Sequence, residues 1–359
     1  MKRGTGLRAA LTALLLAVVA GVPAQAAPAH APALRKIKFL LNSGFSGANA
    51  WFLLADERGY FRKEGIEVEF IDGRGAFTAA GRVAREGYDF GYGDMQAVIE
   101  QAAADAKTAP IAIYMLMDHS PSVIAVPAAS AITKPADVTG LTITGHATDV
   151  ALNTFAQFAD KAGVDPASVT IVRNDGDWKT LLGLLHEGKT NALFGYSSTI
   201  SAAVRTAGQE PEAVVRFLKY VDTVPQLYGS TLMAAPGIAR SEPKLAAGFV
   251  RAVNRGVMEA VCDPDAAIAV LVKRHPSSNA AVERVRLVQT VMEDMGGKDR
   301  LAKGVGDVES ARLSTVLSLT ATGRKLSRQP AAKEVFTAAY LPPAAQRRVA
   351  AGVGRCKPL

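Results

Sequence analysis

The apolar positions of the chain follow two different periods, and segments of the two kinds alternate. In the segment 66–71 (IEVEFI) every second residue is apolar, as in a strand with one buried face. Shortly before it, Trp51, Leu54 and Ala55 recur at helical spacing. Strand and helix patterns continue to alternate from 36 to 127, which predicts a mostly parallel sheet covered by helices on both faces.

A second unit of the same kind begins near Pro135. Strand and helix patterns alternate again from about 130 to 222, although the sequence shows no convincing internal repeat. After Tyr228 there is one further strand pattern (STLMAA), and helical spacing dominates beyond it. The patterns predict an α/β protein of two lobes with parallel-core sheets, joined by a hinge and followed by a C-terminal helical tail.

The predicted boundaries follow from these changes of pattern. We assign 36–126 and 224–359 to lobe 1 and 127–223 to lobe 2, with the chain crossing between the lobes near 125–130 and returning near 222–228. In open parallel sheets a ligand binds beyond the carboxyl ends of the strands. Two such sheets that face one another form a cleft, so we expect a closable ligand-binding cleft between the lobes.

The first 26 residues have the pattern of a secretory signal peptide. Lys2, Arg3 and Arg8 form a positive start, 9–19 is an apolar run too short for a membrane span, and 24–26 (AQA) is a small-residue cleavage site. The mature protein is therefore expected to be exported, with the periplasm as its compartment.

The charge of the chain does not favour nucleic acid as a partner. The net charge is +8, and it falls to +5 without the predicted signal peptide, which holds three basic and no acidic residues. Such a mild excess, spread along the chain, fits a protein that handles a small anion.

The two cysteines, Cys262 and Cys356, are candidates for a disulfide in an oxidising compartment. The alternative is two separate thiols. His275 is the single histidine between them, so their spacing does not resemble a metal site.

Candidate ligand-binding residues lie in loops that follow the predicted strands of lobe 1. Gly44, Ser46 and Asn49 belong to a loop of small residues directly before a helix, where free amides bind an anion or the side chains simply cap the helix. Arg74 stands between two glycines; its planar fork of donors suits a sulfonate, carboxylate or phosphate, and the alternative is an ordinary surface charge.

Three further candidates in lobe 1 are Tyr92, Asp94 and Ser120. Tyr92 offers a ring or a hydroxyl to a ligand. Asp94 precedes a helix and fits an N-cap, and a functional role for it would favour a ligand that carries an amine or amidine. Ser120 could donate to an anion.

Lobe 2 offers a second set of strand-end loops. Gly145, His146 and Thr148 form an amide-rich segment before a helix, and Tyr196 and Ser197 follow another strand. Trp178 is as compatible with the core as with a ligand contact.

Motifs of enzymes are missing from the sequence. It contains no Gly-x-Ser-x-Gly, no His-Glu-x-x-His and no Walker loop. We therefore expect no catalytic residues, no metal site and no cofactor.

Several segments together resemble a known family. The stretch 51–70 (WFLLADERGYFRKEGIEVEF) resembles the A-x-x-x-GYF-x-x-EGL-x-V signature of the solute-binding proteins of nitrate/sulfonate/taurine-type ABC transporters, a superfamily that includes binders of thiamine-pyrimidine precursors. The segments 88–103, 109–121, 132–149 and 186–198 match the family in its order and spacing.

The resemblance implies a two-lobed (type II) periplasmic receptor that traps a small solute and delivers it to a membrane permease. It also implies ligand contacts from the loops that hold the candidates named above. The sequence departs from the family at Asn191, where an acidic residue is usual, and in the unusual segment TGHATD. The cysteine-rich motif of the superfamily's fungal enzymes is missing, which argues against the enzymatic branch.

The sequence thus predicts the monomeric binding component of an ABC importer, specific for a small anionic or zwitterionic solute such as a sulfonate, taurine or nitrate. Arg74 and helix N-termini would hold the anion, Asp94 an amine, and Tyr92 or Tyr196 an apolar part. The alternatives are a binder of a pyrimidine or other heteroaromatic, a periplasmic sensory receptor, and an enzyme of the same fold.

Overall fold

A computed structural model describes Met1, residues 33–348, Gly354 and Cys356. The predicted signal peptide therefore lies, apart from Met1, outside the described residues. Among the described residues no helix is both long and apolar enough to cross a membrane.

Ten strands are present in the described part of the chain. They are β1 (Arg35–Leu40), β2 (Ile66–Ile71), β3 (Phe90–Asp94), β4 (Ile111–Met115), β5 (Ser122–Pro127), β6 (Thr142–Gly145), β7 (Thr170–Arg173), β8 (Ala192–Tyr196), β9 (Val215–Lys219) and β10 (Ser230–Ala234).

The helices of the α/β part cover the two sheets. They are α1 (Ala50–Glu57), α2 (Tyr60–Lys63), α3 (Ala79–Arg85), α4 (Met95–Ala104), α5 (Val150–Asn153), α6 (Phe155–Ala162), α7 (Trp178–His186), α8 (Ser197–Thr206), α9 (Pro211–Val214) and α10 (Tyr220–Thr223). A short 3₁₀ turn (Gly47–Asn49) leads into α1.

The C-terminal part is helical, as expected. It comprises α11 (Pro236–Ser241), α12 (Pro243–Cys262), α13 (Pro264–Arg274), α14 (Ala280–Gln289), a π-helical turn (Thr290–Asp294), α15 (Gly297–Lys303), α16 (Ser310–Gly323) and α17 (Ala332–Val335).

The strands form two five-stranded sheets, one in each lobe. Their orders are β2-β1-β3-β10-β4 and β7-β6-β8-β5-β9. Both sheets are mixed, because β10 runs antiparallel to β3 and β4, and β5 runs antiparallel to β8 and β9. The expectation of two lobes built on sheets of parallel core strands is confirmed, with one antiparallel strand in each described sheet.

The antiparallel strands have a common physical cause. The strands β4 and β9 end at the cleft, and the chain passes directly from there into the other lobe. The next strand, β5 or β10, therefore starts at the cleft and runs away from it, opposite to its neighbours.

The position of the first crossing differs from the prediction. We expected the apolar run 122–127 in lobe 1, but it forms β5 and pairs with β8 and β9 of the second sheet. The chain therefore crosses within 116–121 and not near 125–130. A buried apolar strand satisfies either sheet equally well, so its own residues do not reveal which sheet it joins.

Each sheet is buried between two apolar layers. On one side of the first sheet, Phe249 of α12 stacks on Phe90 of β3, with ring centroids 3.9 Å apart. Its other side is covered by α3, α4 and α16. In the second sheet the layers come from α5 and α6 on one face and from α7 and α8 on the other.

The C-terminal segment is tied back to lobe 1. A disulfide joins Cys262, at the end of α12, to Cys356, with Cα atoms 4.8 Å apart. The two cysteines are 94 residues apart in sequence. The bond holds Cys356, the last described residue, against the apolar layer around α12.

Candidate functional site

A cavity of about 260 Å³ lies between the two lobes, at the carboxyl ends of the strands. Lobe 1 contributes loop residues that follow β1, β2 and β4: Asn42, Ser43, Ser46, Asn49, Gly75 and Met117. Lobe 2 contributes residues that follow β6, β7 and β8: His146, Thr148, Asp149, Trp178, Ser198 and Thr199, together with Tyr196 at the end of β8. The C-terminal helix α14 contributes Arg286.

The lobes touch at the rim of this cavity. Gly75 has φ +106°, and a Cβ placed there would lie 2.4 Å from Oγ1 of Thr148 in the other lobe. Only glycine allows this approach without displacing the opposite loop. Loops of the two lobes are therefore in direct contact at this cavity.

The loop after β1 is shaped by its own side chains. The Asn49 amide oxygen accepts from the backbone N–H of Ser46 at 2.9 Å, and its Nδ2 donates to the carbonyl of Gly44 at 3.3 Å. Asn49 thus holds the loop in place while it also lines the cavity.

The amide at the start of this helical segment already has an anionic partner. The backbone N–H of Gly47 donates to the Glu283 carboxylate at 2.5 Å. A protein carboxylate thus meets the positive end of the helix, where we expected a ligand to bind.

The cation at the cavity is Arg286 of α14. Its Nη2 donates to Oγ1 of Thr199 at 2.8 Å, and its Nη1 lies 3.9 Å from the Glu283 carboxylate. Its Nε is buried and has no hydrogen-bond partner among the described residues. Burial lowers the pKa of Arg286, opposed by the carboxylates of Glu283 and Asp294. A guanidinium remains charged at neutral pH, so Arg286 brings a positive charge to the cavity, with Glu283 as its acidic neighbour.

The wall from lobe 2 is partly aromatic. Nε2 of His146 lies 2.7 Å from the carbonyl oxygen of Gly176, so this nitrogen donates its proton there. The His146 ring packs edge-on against Trp178, with centroids 5.3 Å apart. This wall offers an apolar surface to whatever part of a ligand lies away from Arg286.

Two lobe 2 residues add polar atoms to this wall. The Tyr196 hydroxyl is buried without a partner in the described part of the chain, and burial raises its pKa well above the usual value. Asp149 caps α5 by accepting from the Ala151 N–H at 2.8 Å, and burial raises the pKa of Asp149 to about 6.

Two predicted residues at the end of β3, Tyr92 and Asp94, are buried. Asp94 is fully buried and caps α4, with Oδ1 accepting from the Gln96 N–H at 2.9 Å. Its Oδ2 and the hydroxyl of the buried Tyr92 have no partner within the described residues. Burial raises the pKa of Asp94 to about 8, so the folded protein keeps its carboxyl largely protonated at neutral pH.

Of the twelve residues predicted from sequence, five line the cavity: Ser46, Asn49, His146, Thr148 and Tyr196. Tyr92 and Asp94 are buried in β3 and are not among the residues that line it. Tyr92 belongs to the core of lobe 1 and packs edge-on against Phe52, with centroids 5.2 Å apart.

Four of the others have structural contacts elsewhere. Ser120 and Ser197 line a different cavity of about 320 Å³, beside the segments where the chain crosses between lobes. The Gly44 carbonyl accepts from Asn49, and Gly145 leaves room for Phe194, whose Cβ would lie 2.8 Å from a Cβ at that position.

Arg74 is exposed and lies outside the cavity lining. The flanking glycines serve close packing: a Cβ on Gly73 would lie 2.0 Å from the carbonyl oxygen of Leu41, and Gly75 packs on Thr148. The loop is therefore fixed by its backbone, and the side chain between the two glycines is left in solvent. Arg286, and not Arg74, is the arginine among the described residues that line this cavity.

Sequence reasoning missed Arg286, Ser198 and Thr199 and left Trp178 undecided. A signal for Arg286 was present: Glu283 and Arg286 fall on the same face of α14 as the buried Leu287, and the buried Thr290 of the following turn continues that face. Charged residues within an apolar helical stripe are unusual and require partners.

Comparison with known proteins gives a family and a fold. The family model described as NMT1/THI5 like matches residues 48–267. No curated protein matches the sequence. The family match agrees with the resemblance seen in the sequence.

The solved structures with the same fold are distant in sequence. The periplasmic aliphatic sulphonate binding protein SsuA from Escherichia coli has a TM-score of 0.65 at 14% identity, over 86% of this chain and 99% of that one. The alkanesulfonate-binding protein SsuA from Xanthomonas axonopodis pv. citri, bound to MOPS, has a TM-score of 0.63 at 16% identity, over 85% and 99%.

An enzyme shares the fold as well. The desulfurization enzyme DszB, in complex with biphenyl-2-sulfinic acid, has a TM-score of 0.60 at 15% identity, over 88% of this chain and 100% of that one. The fold is therefore that of binding proteins and of at least one enzyme, and the chain belongs to the NMT1/THI5-like family with the two-lobed architecture of periplasmic binding proteins.

Proposed function

We propose that the protein is the periplasmic substrate-binding component of an ABC importer and that it captures a small organic anion of the sulfonate type. The observation that carries the proposal is Arg286, a partly buried arginine that lines the cavity between the lobes. Arginine offers paired donors that match the oxygens of a sulfonate or carboxylate. The sulfonate-binding proteins that share the fold add support.

The cavity has further donors for such an anion. Tyr196, Ser198, Thr199 and Ser46 line the same space as Arg286, and each carries a hydroxyl group. Polar groups from both lobes then contact one ligand, so the ligand binds the closed state more tightly than an open one and draws the lobes together. The closed, loaded protein is the form that a membrane permease would recognise, and we propose that it acts as a monomer.

The predicted signal peptide at 1–26 supports a periplasmic location. A cysteine nucleophile receives no support from the cavity, because both cysteines are joined in a disulfide and neither belongs to its described lining. A turnover assay tests this point: a binding protein returns its ligand chemically unchanged.

A heteroaromatic anion is the second candidate ligand. The cavity wall formed by His146 and Trp178 offers aromatic edges and faces against which a planar ring packs. Such a ligand would still need an anionic group for Arg286.

Calorimetric titration tests the proposal with short sulfonates, taurine, nitrate, small carboxylates and pyrimidine derivatives. We expect binding of at least one sulfonate or other organic anion, and Arg286→Gln should weaken it by about 10- to 100-fold, because a hydrogen bond to a charged group contributes ~1.5–3 kcal/mol. The matched control is Arg284→Gln: Arg284 lies on the same helix but is exposed and pairs with Asp265. Binding of none of these anions, or equal affinity in Arg286→Gln, would contradict the proposal.

A further inference from the structure

Beside the binding cavity lies a larger groove of about 970 Å³ in lobe 2. It runs along α7 and is bordered by α8 and by the segment before β9. Its apolar lining includes Leu182, Leu185, Ala203 and Val214. Of the described residues, Trp178 is the one that lines both the groove and the cavity.

The Trp178 indole is held at this boundary by close contacts. A Cβ on Gly195 would lie 2.6 Å from Cη2 of Trp178, so the ring tip rests directly on the backbone of β8. The His146 ring meets the indole edge-on at 75°. At the other end, Asp177 caps α7 by accepting from the Thr180 N–H at 2.8 Å, which fixes the turn from which Trp178 projects.

We propose that Trp178 sets the upper size limit of the solute by separating the cavity from the groove along α7. This inference rests on the proposed function. The cavity of about 260 Å³ encloses the anionic head and a short tail, and the indole blocks continuation of the tail. Behind the indole the space is larger and partly apolar, so a smaller residue at this position would join two volumes that suit one elongated ligand.

The proposal specifies the substrate class more closely. The natural solute is a compact organic anion, and long-chain or bulky aryl sulfonates are excluded by the position of one side chain. Selection of this kind needs no charge difference between solutes, because a tail that does not fit must displace a packed aromatic ring.

The test is a series of linear sulfonates, from methanesulfonate to octanesulfonate, titrated against wild type and Trp178→Ala. Each added methylene that is buried should raise affinity about fourfold. In wild type the affinity should stop rising at a short chain length and should fall for longer chains. In Trp178→Ala the rise should continue to longer chains, so that the affinity for octanesulfonate relative to that for the best wild-type ligand rises at least about tenfold.

Two more variants make the outcome decisive. Leu182→Ala enlarges the groove without changing the cavity lining and should keep the wild-type chain-length limit. Trp178→Phe retains an aromatic ring of smaller volume, so it should also raise the chain-length limit, by less than Trp178→Ala does. This variant keeps the test valid if Trp178→Ala folds poorly.

The results separate the two proposals. If wild type binds short sulfonates but the chain-length limit is the same in both Trp178 variants, this inference is wrong and the proposed function stands. If wild type binds no organic anion in any titration, the proposed function is wrong and the size limit falls with it.

Discussion

Arg286 and Asp94 show how burial acts on single charges near the cavity. Arg286 keeps its positive charge and lacks a full set of partners, which suits it to bind an anion. Burial removes the charge of Asp94 instead: it raises the pKa of the carboxyl to about 8, so the group is largely protonated at neutral pH. One oxygen of this carboxyl caps α4. The same low-dielectric environment therefore provides a cation and a neutral hydrogen-bonding acid within one region.

The raised pKa of Asp94 has a consequence for stability. In the unfolded chain the carboxyl has the ordinary aspartate pKa of 3.8, whereas in the folded protein its pKa is about 8. Between these values the folded state holds one proton more, so this group's contribution to stability falls as the pH rises from about 4 to 8. Asp94→Asn keeps a capping oxygen and should remove this part of the slope, at most about 1.4 kcal/mol per pH unit.

Urea unfolding of wild type and Asp94→Asn at several pH values measures that difference. Asp105→Asn is the matched control at the other end of the same helix: Asp105 is exposed, and the Lys107 N–H lowers its pKa. It should leave the slope between pH 5 and 8 unchanged. A slope in Asp94→Asn equal to that of wild type would show that Asp94 is ionised in the folded protein.

Among the elements, α14 links the two lobes at the cavity. Through Glu283 it contacts the amide of Gly47 in lobe 1, and through Arg286 it contacts Thr199 on α8 of lobe 2. The 3₁₀ turn at Gly47 lies so close that a Cβ there would be 1.9 Å from the Glu283 carbonyl oxygen. The position of Arg286 therefore depends on how closely one loop packs against this helix.

Substitution of Gly47 tests this packing. Gly47→Ala should destabilise the protein by about 1–3 kcal/mol, because backbone atoms on both sides must move apart. It should also weaken anion binding, since α14 carries Arg286. Urea unfolding and calorimetric titration measure the two effects.

The control for that variant is Gly183→Ala within α7. No atom lies within 4 Å of a Cβ at this position, so alanine should be neutral or stabilise by up to about 1 kcal/mol through its helix propensity. Equal stability of Gly47→Ala and wild type would mean that the loop and α14 are not tightly packed in solution.

At the scale of the whole molecule, the C-terminal helices connect two lobes that have separate cores. Besides Arg286, Arg324 directly after α16 pairs with Glu100 of lobe 1 and donates to the Asn153 carbonyl of lobe 2 at 2.9 Å. Lys219 of lobe 2 pairs with Glu293 of the π-helical turn at 2.8 Å. Opening of the cleft requires contacts of this kind to break, so the helical tail influences the balance between open and closed forms.

The disulfide between Cys262 and Cys356 stabilises the molecule from outside the binding site. Replacing both cysteines by serine should lower the free energy of unfolding by about 2–4 kcal/mol, since the bond closes a long loop in the unfolded chain. Ligand affinity should stay within about twofold of wild type, because neither cysteine is among the described residues that line the cavity. Urea unfolding, ligand titration and thiol counting of the denatured wild-type protein check these expectations; two free thiols in that count would rule out the bond.

The sequence by itself determined what depends on near neighbours along the chain. Periodicity located the strand at 66–71 and the helix that begins at Met95, and the cap by Asp94 followed from its place before that helix. The family motif at 51–70 and the repeated strand–helix order predicted the two lobes. These features are local because hydrogen bonding and side-chain spacing within one element produce them.

The tertiary structure decided which distant segments meet. It placed β5 in the second sheet, left Arg74 in solvent, and brought Arg286 of α14 to loops more than eighty residues away in sequence. It also placed Trp178 between two spaces that no local pattern reveals. A side chain's neighbours across a cleft are fixed by the packing of whole elements, and that packing minimises the exposed apolar area of all of them together.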